Sequence, residues 1–555
     1  MRTSLPFILT LVVGYGLCYA QRPERPHSPR LSALEKKLAA HEAGAEDALW
    51  RQLAAEGTPI VEDAHEPGHF LVTFVWRGTA ATHRVQLTGP VDPPQPESDL
   101  ARVPGSNIFA TTLSLPDTGR FTYFFIVDGD DATKLQPGHA HHDPLSRHPF
   151  DTLQSILELP RAPKQPSIVA HSDVPTGTLW RHTIRAATPQ QQRQLFVYTP
   201  PGYSEKGPVY PLLVAFDGET ATGVIPTWLI LDELIAAKRI PPVVALFIGN
   251  VDRMHDLAPN PAFADFVALD LVPWMRAHYR ATSDPRRTVI SGISLGGLAS
   301  AHAAFRHPEV FGNVLSQSGS FWWGPENQEP EQTARDFAQA ARLPLRFWME
   351  VGSFEIGGPR AETTQLAGNR HLRDVLRARG YDVSYQEFAG NHTYVCWRGT
   401  LADGLAALFG TPPKLPASRS PRVAARPPLD IASAVRSSLP VLVRTGLLSG
   451  GDAALAEAKR LFANNADSYA LDEDEINGAG CMLMTVDHPQ DALGLLHWNT
   501  ERFPKSANTW DSLAWAYYQI GDRLAAIANF KEDVRLDPKN AVAAELLTVL
   551  SRQRP

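Results

Sequence analysis

Thr288-Val289-Ile290-Ser291-Gly292-Ile293-Ser294-Leu295-Gly296-Gly297 is the stretch that decides the fold of this chain. A β-branched run ends in the pattern Gly-x-Ser-x-Gly, and an alanine-rich segment follows at 298–305. Buried strand, sharp turn and helix in that order are typical of a nucleophile elbow. Glycine two residues to either side leaves room for a serine in a crowded backbone conformation. Ser294 is therefore predicted to be a nucleophile.

The sequence on both sides of this stretch alternates between buried strands and helices. Because strands that are apolar throughout need cover on both faces, the alternation predicts a mostly parallel sheet with helices on each side. We expect an α/β-hydrolase-type domain over residues 177–412. The strands on which this rests are Tyr210–Phe216, Val243–Ile248, Val314–Gly319 and Leu345–Gly352.

The region before this domain has a different periodicity. Short runs with alternating apolar residues, such as Phe70–Trp76 and Phe121–Val127, are separated by Gly, Pro and Asp. This pattern predicts an antiparallel, immunoglobulin-like β-sandwich over residues 57–160. The preceding segment Ser32–Glu56 has helical spacing and is expected to form one exposed helix.

The region after the predicted hydrolase domain contains a repeat. Pro504 and Pro538 lie 34 residues apart in similar surroundings, each next to a helix-turn-helix pattern. That period is typical of tetratricopeptide repeats, so a helical domain of this type is predicted over residues 431–555. Such repeats commonly bind other proteins, and a protein partner is an expectation for this part of the chain. An ordinary helical hairpin domain is the alternative.

Composition and the first residues limit the functional classes. The 555-residue chain has a formal net charge of -7, which gives a nucleic acid no general attraction to it. Residues 1–20 combine Arg2 with a short apolar run, which predicts a signal peptide and export to the periplasm or the medium. The three cysteines include one in that segment, so a structural disulfide is not expected.

A serine nucleophile requires a base, and the base requires an acid to orient it. His392 follows the predicted strand 383–388 by a short loop, where a catalytic histidine of this fold is expected. Glu355 follows the strand that ends at Gly352 and is the favoured acid, with Asp374 and Asp382 as alternatives. This chemistry needs no metal and no cofactor.

An oxyanion hole needs two N–H groups that point at the developing charge. One is expected from Leu295, directly after the nucleophile. The other is expected from the turn after the strand that ends at Phe216, from Gly218 or Glu219.

Taken together, these residues resemble the enterochelin (enterobactin) esterases, which open trilactone catecholate siderophores. The resemblance covers roughly residues 57–410 and implies an esterase D-like hydrolase fold with Ser294, His392 and Glu355 as its catalytic residues. The chain departs from the family at Gly390-Asn391-His392-Thr393, where Gly-Gly-His-Asp is usual. The motifs that carry the resemblance are Tyr198–Tyr203, Asp217-Gly218, Arg253–Phe263, Gly292–Gly297, Leu315–Trp323, Glu350–Gly352, Cys396–Arg398 and, in the sandwich, Val72–Arg77 and Asp143–Leu145.

The resemblance also implies a small-molecule ester substrate, such as a ferric catecholate siderophore. Since a triscatecholate is strongly anionic, arginines and tryptophans of these motifs are candidate substrate contacts. They are Arg77, Arg253, Trp322, Trp323, Trp397 and Arg398. Two other functions stay open from the sequence: a feruloyl or acetyl esterase acting on carbohydrates, and a non-catalytic binding protein that uses the sandwich and the repeats.

Overall fold

A computed structural model describes residues 26–91, 98–129, 139–151, 153–185, 192–357, 363–410, 429–465 and 468–552. The predicted signal peptide, residues 1–20, lies outside these ranges. Among the residues described, no helix is both long enough and apolar enough to cross a membrane.

The N-terminal region is an antiparallel β-structure, as its alternating sequence pattern predicts. Its strands pair in the order β1-β2-β5-β4-β3-β6-β7, and β8 pairs with the other part of β6. Inward-facing side chains such as Val72, Phe74 and Phe125 form a common core. The strands are β1 Ile60–Asp63, β2 His69–Arg77, β3 Val85–Thr88, β4 Asp99–Arg102, β5 Ile108–Pro116, β6 Arg120–Val127, β7 Ala140–His141 and β8 Ser155–Glu158.

Two helices, not the single one expected, precede this sheet. They are α1 Pro29–Ala39 and α2 Ala45–Glu56. The chain turns between them at His41 and Gly44, which have φ angles of 55° and 75°. Positive φ values end an α-helix, and the helical spacing on both sides did not reveal the break. Leu34 and Leu53 are buried against the sheet, so neither helix is isolated in solvent.

The central region contains the predicted parallel sheet. The strands β12-β11-β13-β14-β15-β16 run parallel, and β10 and β9 continue the sheet in antiparallel orientation beyond β12. Nearly all side chains of the central strands are buried, which explains their continuous apolar sequences. The strands are β9 Thr178–Ile184, β10 Arg193–Thr199, β11 Leu212–Ala215, β12 Val244–Ile248, β13 Thr288–Ile293, β14 Asn313–Gln317, β15 Arg346–Gly352 and β16 Asp382–Phe388.

Helices cover both faces of this sheet and produce two separate apolar cores. The carboxyl ends of β11, β13, β14, β15 and β16 meet at one edge, and the loops at that edge carry the polar motifs of the sequence. The helices are α3 Gly218–Thr222, α4 Thr227–Ala236, α5 Arg253–Leu257, α6 Pro261–Phe266, α7 Val272–His278, α8 Leu295–Arg306, α9 Gln332–Gln339, α10 Gln365–Ala378 and α11 Tyr394–Gly410, with a π-helical turn at Val267–Leu271 between α6 and α7.

The C-terminal region is helical and also extends the central sheet. Two short strands, β17 and β18, add to the sheet beyond β9, which the sequence analysis did not predict. Arg444 and Tyr518 bond this region to 171–174 and to the N-terminal domain, respectively. The elements are β17 Val435–Ser437, α12 Leu439–Ser449, α13 Gly451–Asn465, β18 Tyr469–Ala470, α14 Glu473–Thr485, α15 Pro489–Arg502, α16 Ala507–Gln519, α17 Arg523–Leu536 and α18 Ala541–Arg552.

Candidate active site

Ser294 occupies the sharp turn between β13 and α8. Its backbone has φ 54° and ψ -119°, a conformation that non-glycine residues rarely adopt. A Cβ atom on Gly292 would overlap the backbone of Gly296, and one on Gly297 would lie 2.5 Å from the Ser316 hydroxyl oxygen. The flanking glycines are therefore a steric requirement of the turn.

His392 lies in the loop between β16 and α11, beside Ser294. Its Nε2 is 3.0 Å from the hydroxyl oxygen of Ser294, and its Nδ1 is 2.6 Å from Oε2 of Glu355. The indole ring of Trp397 packs edge-on against the imidazole, with 4.6 Å between ring centroids. Three side chains that lie far apart in the sequence thus form one continuous hydrogen-bonded chain.

Glu355 is buried and accepts hydrogen bonds on both oxygens. While Oε2 faces His392, Oε1 accepts from the backbone N–H of Gly352 at 2.7 Å and from the Ser318 hydroxyl at 2.6 Å. The indole N–H of Trp397 donates to the Ser318 oxygen at 2.9 Å, which directs the Ser318 proton toward the carboxylate. These bonds fix the carboxylate so that its other oxygen faces the imidazole of His392.

Two helices begin beside the serine and present N–H groups. Leu295 is the first residue of α8 and Gly218 is the first residue of α3. The first N–H groups of a helix have no acceptor within the helix, so they are free to bind a developing negative charge. The turns are close together, since a Cβ atom on Gly296 would lie 3.2 Å from Oδ2 of Asp217.

Asp217 adopts a left-handed conformation, φ 54° and ψ 55°, directly before Gly218. Its buried carboxylate accepts bonds of 2.7 Å and 2.9 Å from Nε and a terminal nitrogen of Arg253, and one of 2.7 Å from the Asn250 amide. These partners hold the strained turn in place. Arg253 keeps 39% of its side chain exposed, so it borders the site while it pairs with Asp217.

The three predicted tryptophan contacts lie at the carboxyl edge of the sheet. Trp322 donates to Oε1 of Gln365 at 2.7 Å, and both Trp322 and Trp323 are half-buried in the loop after β14. Trp397 is buried. It donates a hydrogen bond to Ser318 and packs against the ring of His392.

Two predicted substrate contacts lie elsewhere. Arg77 is at the end of β2, where it pairs with Asp47 and Glu46 of α2 inside the N-terminal domain. Arg398 is 7% exposed, donates to the Thr485 carbonyl of α14 at 2.7 Å, and burial lowers its pKa to about 10. Arg77 therefore pairs with a neighbouring helix, and Arg398 bonds the C-terminal helices, while contact of either residue with the substrate stays a prediction.

Comparison with known proteins places these residues in a family. The profile described as "Putative esterase" matches residues 186–408, and that described as "Enterochelin esterase, N-terminal" matches residues 71–168. An iron(III) enterobactin esterase of Dickeya dadantii is 31% identical over 426 residues, which are 67% of this chain and 94% of that protein. The chain belongs to the enterochelin esterase family. It is a carboxylic ester hydrolase.

Other esterases of siderophores are similar to this chain over a comparable length. An iron(III) salmochelin esterase of Escherichia coli is 29% identical over 69% of this chain and 98% of its own length. The crystal structure of the enterobactin esterase from Shigella flexneri in the presence of enterobactin superposes with a TM-score of 0.51, at 28% identity over 66% of this chain and 99% of that one. The crystal structure of a ferric enterobactin esterase from Salmonella typhimurium superposes with a TM-score of 0.52, at 26% identity over 65% of this chain and 98% of that one.

Three residues of this family member's site were not singled out from the sequence. Ser318 and Asn250 each support a charged residue of the site, and Asn391 bonds the histidine loop to the N-terminal domain. Ser318 and Asn250 follow the carboxyl ends of β14 and β12, and polar residues at those positions are a usable signal. For Asn391 the signal was the departure from the usual family motif.

Proposed function

We propose that this chain opens the trilactone of a catecholate siderophore by serine catalysis, with Ser294 as nucleophile, His392 as base and Glu355 as the orienting acid. The observation that carries the proposal is the chain of hydrogen bonds from Glu355 through His392 to Ser294, at 2.6 Å and 3.0 Å. These distances allow proton transfer in place, without rearrangement of the backbone.

In the first half of the reaction the Ser294 oxygen attacks a lactone carbonyl carbon. Nε2 of His392 takes the hydroxyl proton, and Glu355 stabilises the resulting imidazolium. When the tetrahedral intermediate collapses, the carbon–oxygen bond to the seryl alkoxide of the substrate breaks. His392 gives its proton to that oxygen, which leaves an opened ester chain as an acyl group on Ser294.

In the second half of the reaction, water is the nucleophile and the same proton transfers occur. His392 removes a proton from water, the hydroxide attacks the acyl carbon, and the Ser294 oxygen leaves with the proton held by His392. In both halves the N–H groups of Leu295 and Gly218 are assigned to the oxyanion. The bonds from Arg253 and Asn250 to Asp217 keep the Gly218 turn in the position that this role requires.

Exposed side chains adjacent to Arg253 and Trp397 suit an aromatic anion. Arg253 contributes a partly exposed positive charge, and its neighbour Met254 exposes 61% of its surface. Tyr394, 37% exposed, lies two residues after His392 and contacts Trp397 ring to ring. A cation with apolar and aromatic neighbours fits a catecholamide ring better than a sugar hydroxyl surface. The named activities of the relatives agree with this choice.

The test is linearisation of a ferric catecholate trilactone, followed by chromatography of the opened products. We expect the purified wild-type protein to open the trilactone and Ser294→Ala to lose at least about 1000-fold in kcat. Release of ferulate from arabinoxylan is measured in parallel. Ferulate release without trilactone opening would overturn the substrate assignment, and equal rates of wild type and Ser294→Ala would overturn the mechanism.

We also propose a tetratricopeptide-like organisation for the C-terminal helices and a protein partner for them. In support, α12, α14, α16 and α18 begin at Leu439, Glu473, Ala507 and Ala541, each 34 residues after the previous one. The immunoglobulin-like interpretation of the N-terminal sheet is likewise a proposal. We expect the full chain to pull down the partner from an extract of the cells that produce it, and a chain without residues 429–555 to lose that partner. A partner that still binds the shortened chain would contradict the proposal.

Export is proposed from residues 1–20 alone, whose basic start and short apolar run fit a signal peptide. Fusion of this segment to alkaline phosphatase, which is active only outside the cytoplasm, tests it. An inactive fusion would contradict export.

A further inference from the structure

The loop that carries His392 is short. Strand β16 ends at Phe388 and helix α11 begins at Tyr394, so five residues span the gap. Within its own domain, the start of the loop accepts backbone bonds from Ser353 N–H to the Phe388 carbonyl and from Phe354 N–H to the Gly390 carbonyl, at 2.8 Å and 3.1 Å. The imidazole itself is 31% exposed, so packing alone does not fix it.

The N-terminal domain supplies the next set of contacts to this loop. The backbone N–H of Arg120, at the start of β6, donates to the Ala389 carbonyl at 3.0 Å. The side-chain amide of Asn391 then exchanges two hydrogen bonds with the backbone of Thr122. Its Nδ2 donates to the Thr122 carbonyl at 2.9 Å, and its Oδ1 accepts from the Thr122 N–H at 3.2 Å. Asn391 and Thr122 are 6% and 4% exposed.

These two bonds imitate the pairing of one strand residue with another. Strand β3 pairs with β6 from Val85↔Val127 to Thr88↔Phe124 and ends there, before it reaches Thr122. The chain leaves at Gly89, whose Cβ would overlap the Thr122 carbonyl oxygen and would lie 3.1 Å from Nδ2 of Asn391. The Asn391 amide therefore continues the sheet ladder at the point where the neighbouring strand has left it.

We propose that Asn391 is a positioning residue for His392, and that strand β6 of the N-terminal domain is part of the support of the catalytic histidine. This inference rests on the proposed function of His392. The two bonds hold the side-chain amide of Asn391 on a strand, which restricts the position and the rotation of the Asn391 backbone. The next residue is His392, whose ring must stay within reach of Ser294 and Glu355 at once. A displacement of about 1 Å in such an arrangement is enough to lower a rate about 100-fold.

The opposing interpretation is that these bonds only attach one domain to another. A purely adhesive contact would change the melting temperature when it is removed, but not kcat of the molecules that remain folded. A positioning contact would lower kcat with little change in KM, because His392 acts in both chemical steps and does not bind the ground state of the ester.

The experiment compares Asn391→Ala, Asn391→Asp and Asn313→Ala in the full chain. Aspartate keeps the acceptor for the Thr122 N–H but offers the Thr122 carbonyl no proton, so it retains one of the two bonds. Asn313 is an equally buried asparagine whose amide donates to the Arg286 and Thr288 carbonyls at 3.0 Å each, at the opposite edge of the sheet. It is the matched control for loss of a buried amide.

Rates are measured with p-nitrophenyl butyrate over a range of pH, and the variants are compared where kcat no longer depends on pH. We expect Asn391→Ala to lower kcat about 10-fold to 100-fold with KM within about twofold. Asn391→Asp is expected to lower kcat as well, while Asn313→Ala lowers the melting temperature and leaves kcat unchanged.

Wild-type kcat in folded Asn391→Ala or in Asn391→Asp would overturn the inference, as would an equal loss of kcat in Asn313→Ala. If Asn391→Ala does not fold, the nearly isosteric Asn391→Asp decides alone. Ser294→Ala in the same assay separates this outcome from a failure of the proposed function. Undiminished hydrolysis by Ser294→Ala rejects the mechanism, whereas loss there with full activity in the Asn391 variants rejects only the positioning role.

Discussion

Ser318 donates a hydrogen bond of 2.6 Å to Oε1 of Glu355, the carboxylate oxygen that does not face His392. Ser318 in turn accepts from the indole N–H of Trp397, whose ring packs against the imidazole. Ser318 therefore holds Glu355, the proposed acid, and Trp397 connects Ser318 to His392, the proposed base. Both supports are buried, so the orientation of Glu355 is fixed before substrate binds.

Replacement of Ser318 by alanine should therefore weaken catalysis without affecting substrate binding. The loss of one buried hydrogen bond to a charged group costs about 1.5 kcal/mol, and we expect kcat to fall about 10-fold with KM unchanged. Ser316→Ala is the matched control, because the Ser316 hydroxyl has no hydrogen-bond partner among the described residues. Steady-state kinetics of both variants check this prediction, and equal kcat values would contradict it.

Arg253→Met separates two roles for that arginine. Since Arg253 pairs with the buried Asp217 carboxylate, we expect a lower kcat, from a loosened Gly218 turn, and a loss of about 1–3 kcal/mol in stability. The double variant Asp217→Asn/Arg253→Met should recover part of the stability, because no unpaired charge is then buried. A rise in KM for the siderophore beside these changes would show that Arg253 also contacts the substrate, whereas unchanged kcat and melting temperature would contradict its role in holding the Gly218 turn.

Arg398→Met should affect the fold and not the substrate. Its guanidinium donates to the Thr485 carbonyl in α14 and to Gln165, and its side chain is almost fully buried. We expect a lower melting temperature and a KM for the siderophore within about twofold of the wild-type value. A rise in that KM, in a variant of normal stability, would show that Arg398 contacts the substrate.

A carboxyl pair in the C-terminal helices predicts a pH dependence of stability. Burial raises the pKa of Asp533 from its usual 3.8 to about 7, and burial also raises that of the nearby Asp511. Because the folded state holds protons that the unfolded state releases, this contribution is complete below about pH 4 and is lost as the pH rises through about 7. Asp533→Asn should remove the part of this contribution that comes from Asp533.

Melting curves at pH 5 and pH 8 provide the measurement. The melting temperature of Asp533→Asn relative to wild type should be higher at pH 8 than at pH 5. Asp452→Asn, which removes an exposed carboxylate in helix α13, is the control for loss of charge. An identical difference at both pH values would contradict the assignment.

The sequence predicted those parts of the site that follow from local order along the chain. Ser294 was recognisable because an elbow has a local pattern, and His392 and Glu355 because each follows a strand that ends at the same edge of the sheet. Contacts between distant segments were not recognisable. Nothing local to Arg77 or Arg398 indicates that a helix elsewhere in the chain covers each one. The same limit applies to the addition of β17 and β18 to the sheet.

Covalent labelling of the nucleophile tests the central claim most directly. A fluorophosphonate is incubated with the wild-type protein, and the modified peptide is identified by mass spectrometry. We expect a single adduct at Ser294, no adduct in Ser294→Ala, and labelling slowed at least about 100-fold in His392→Ala, because the serine then lacks its base. An adduct at any other residue, or undiminished labelling in His392→Ala, would contradict this account.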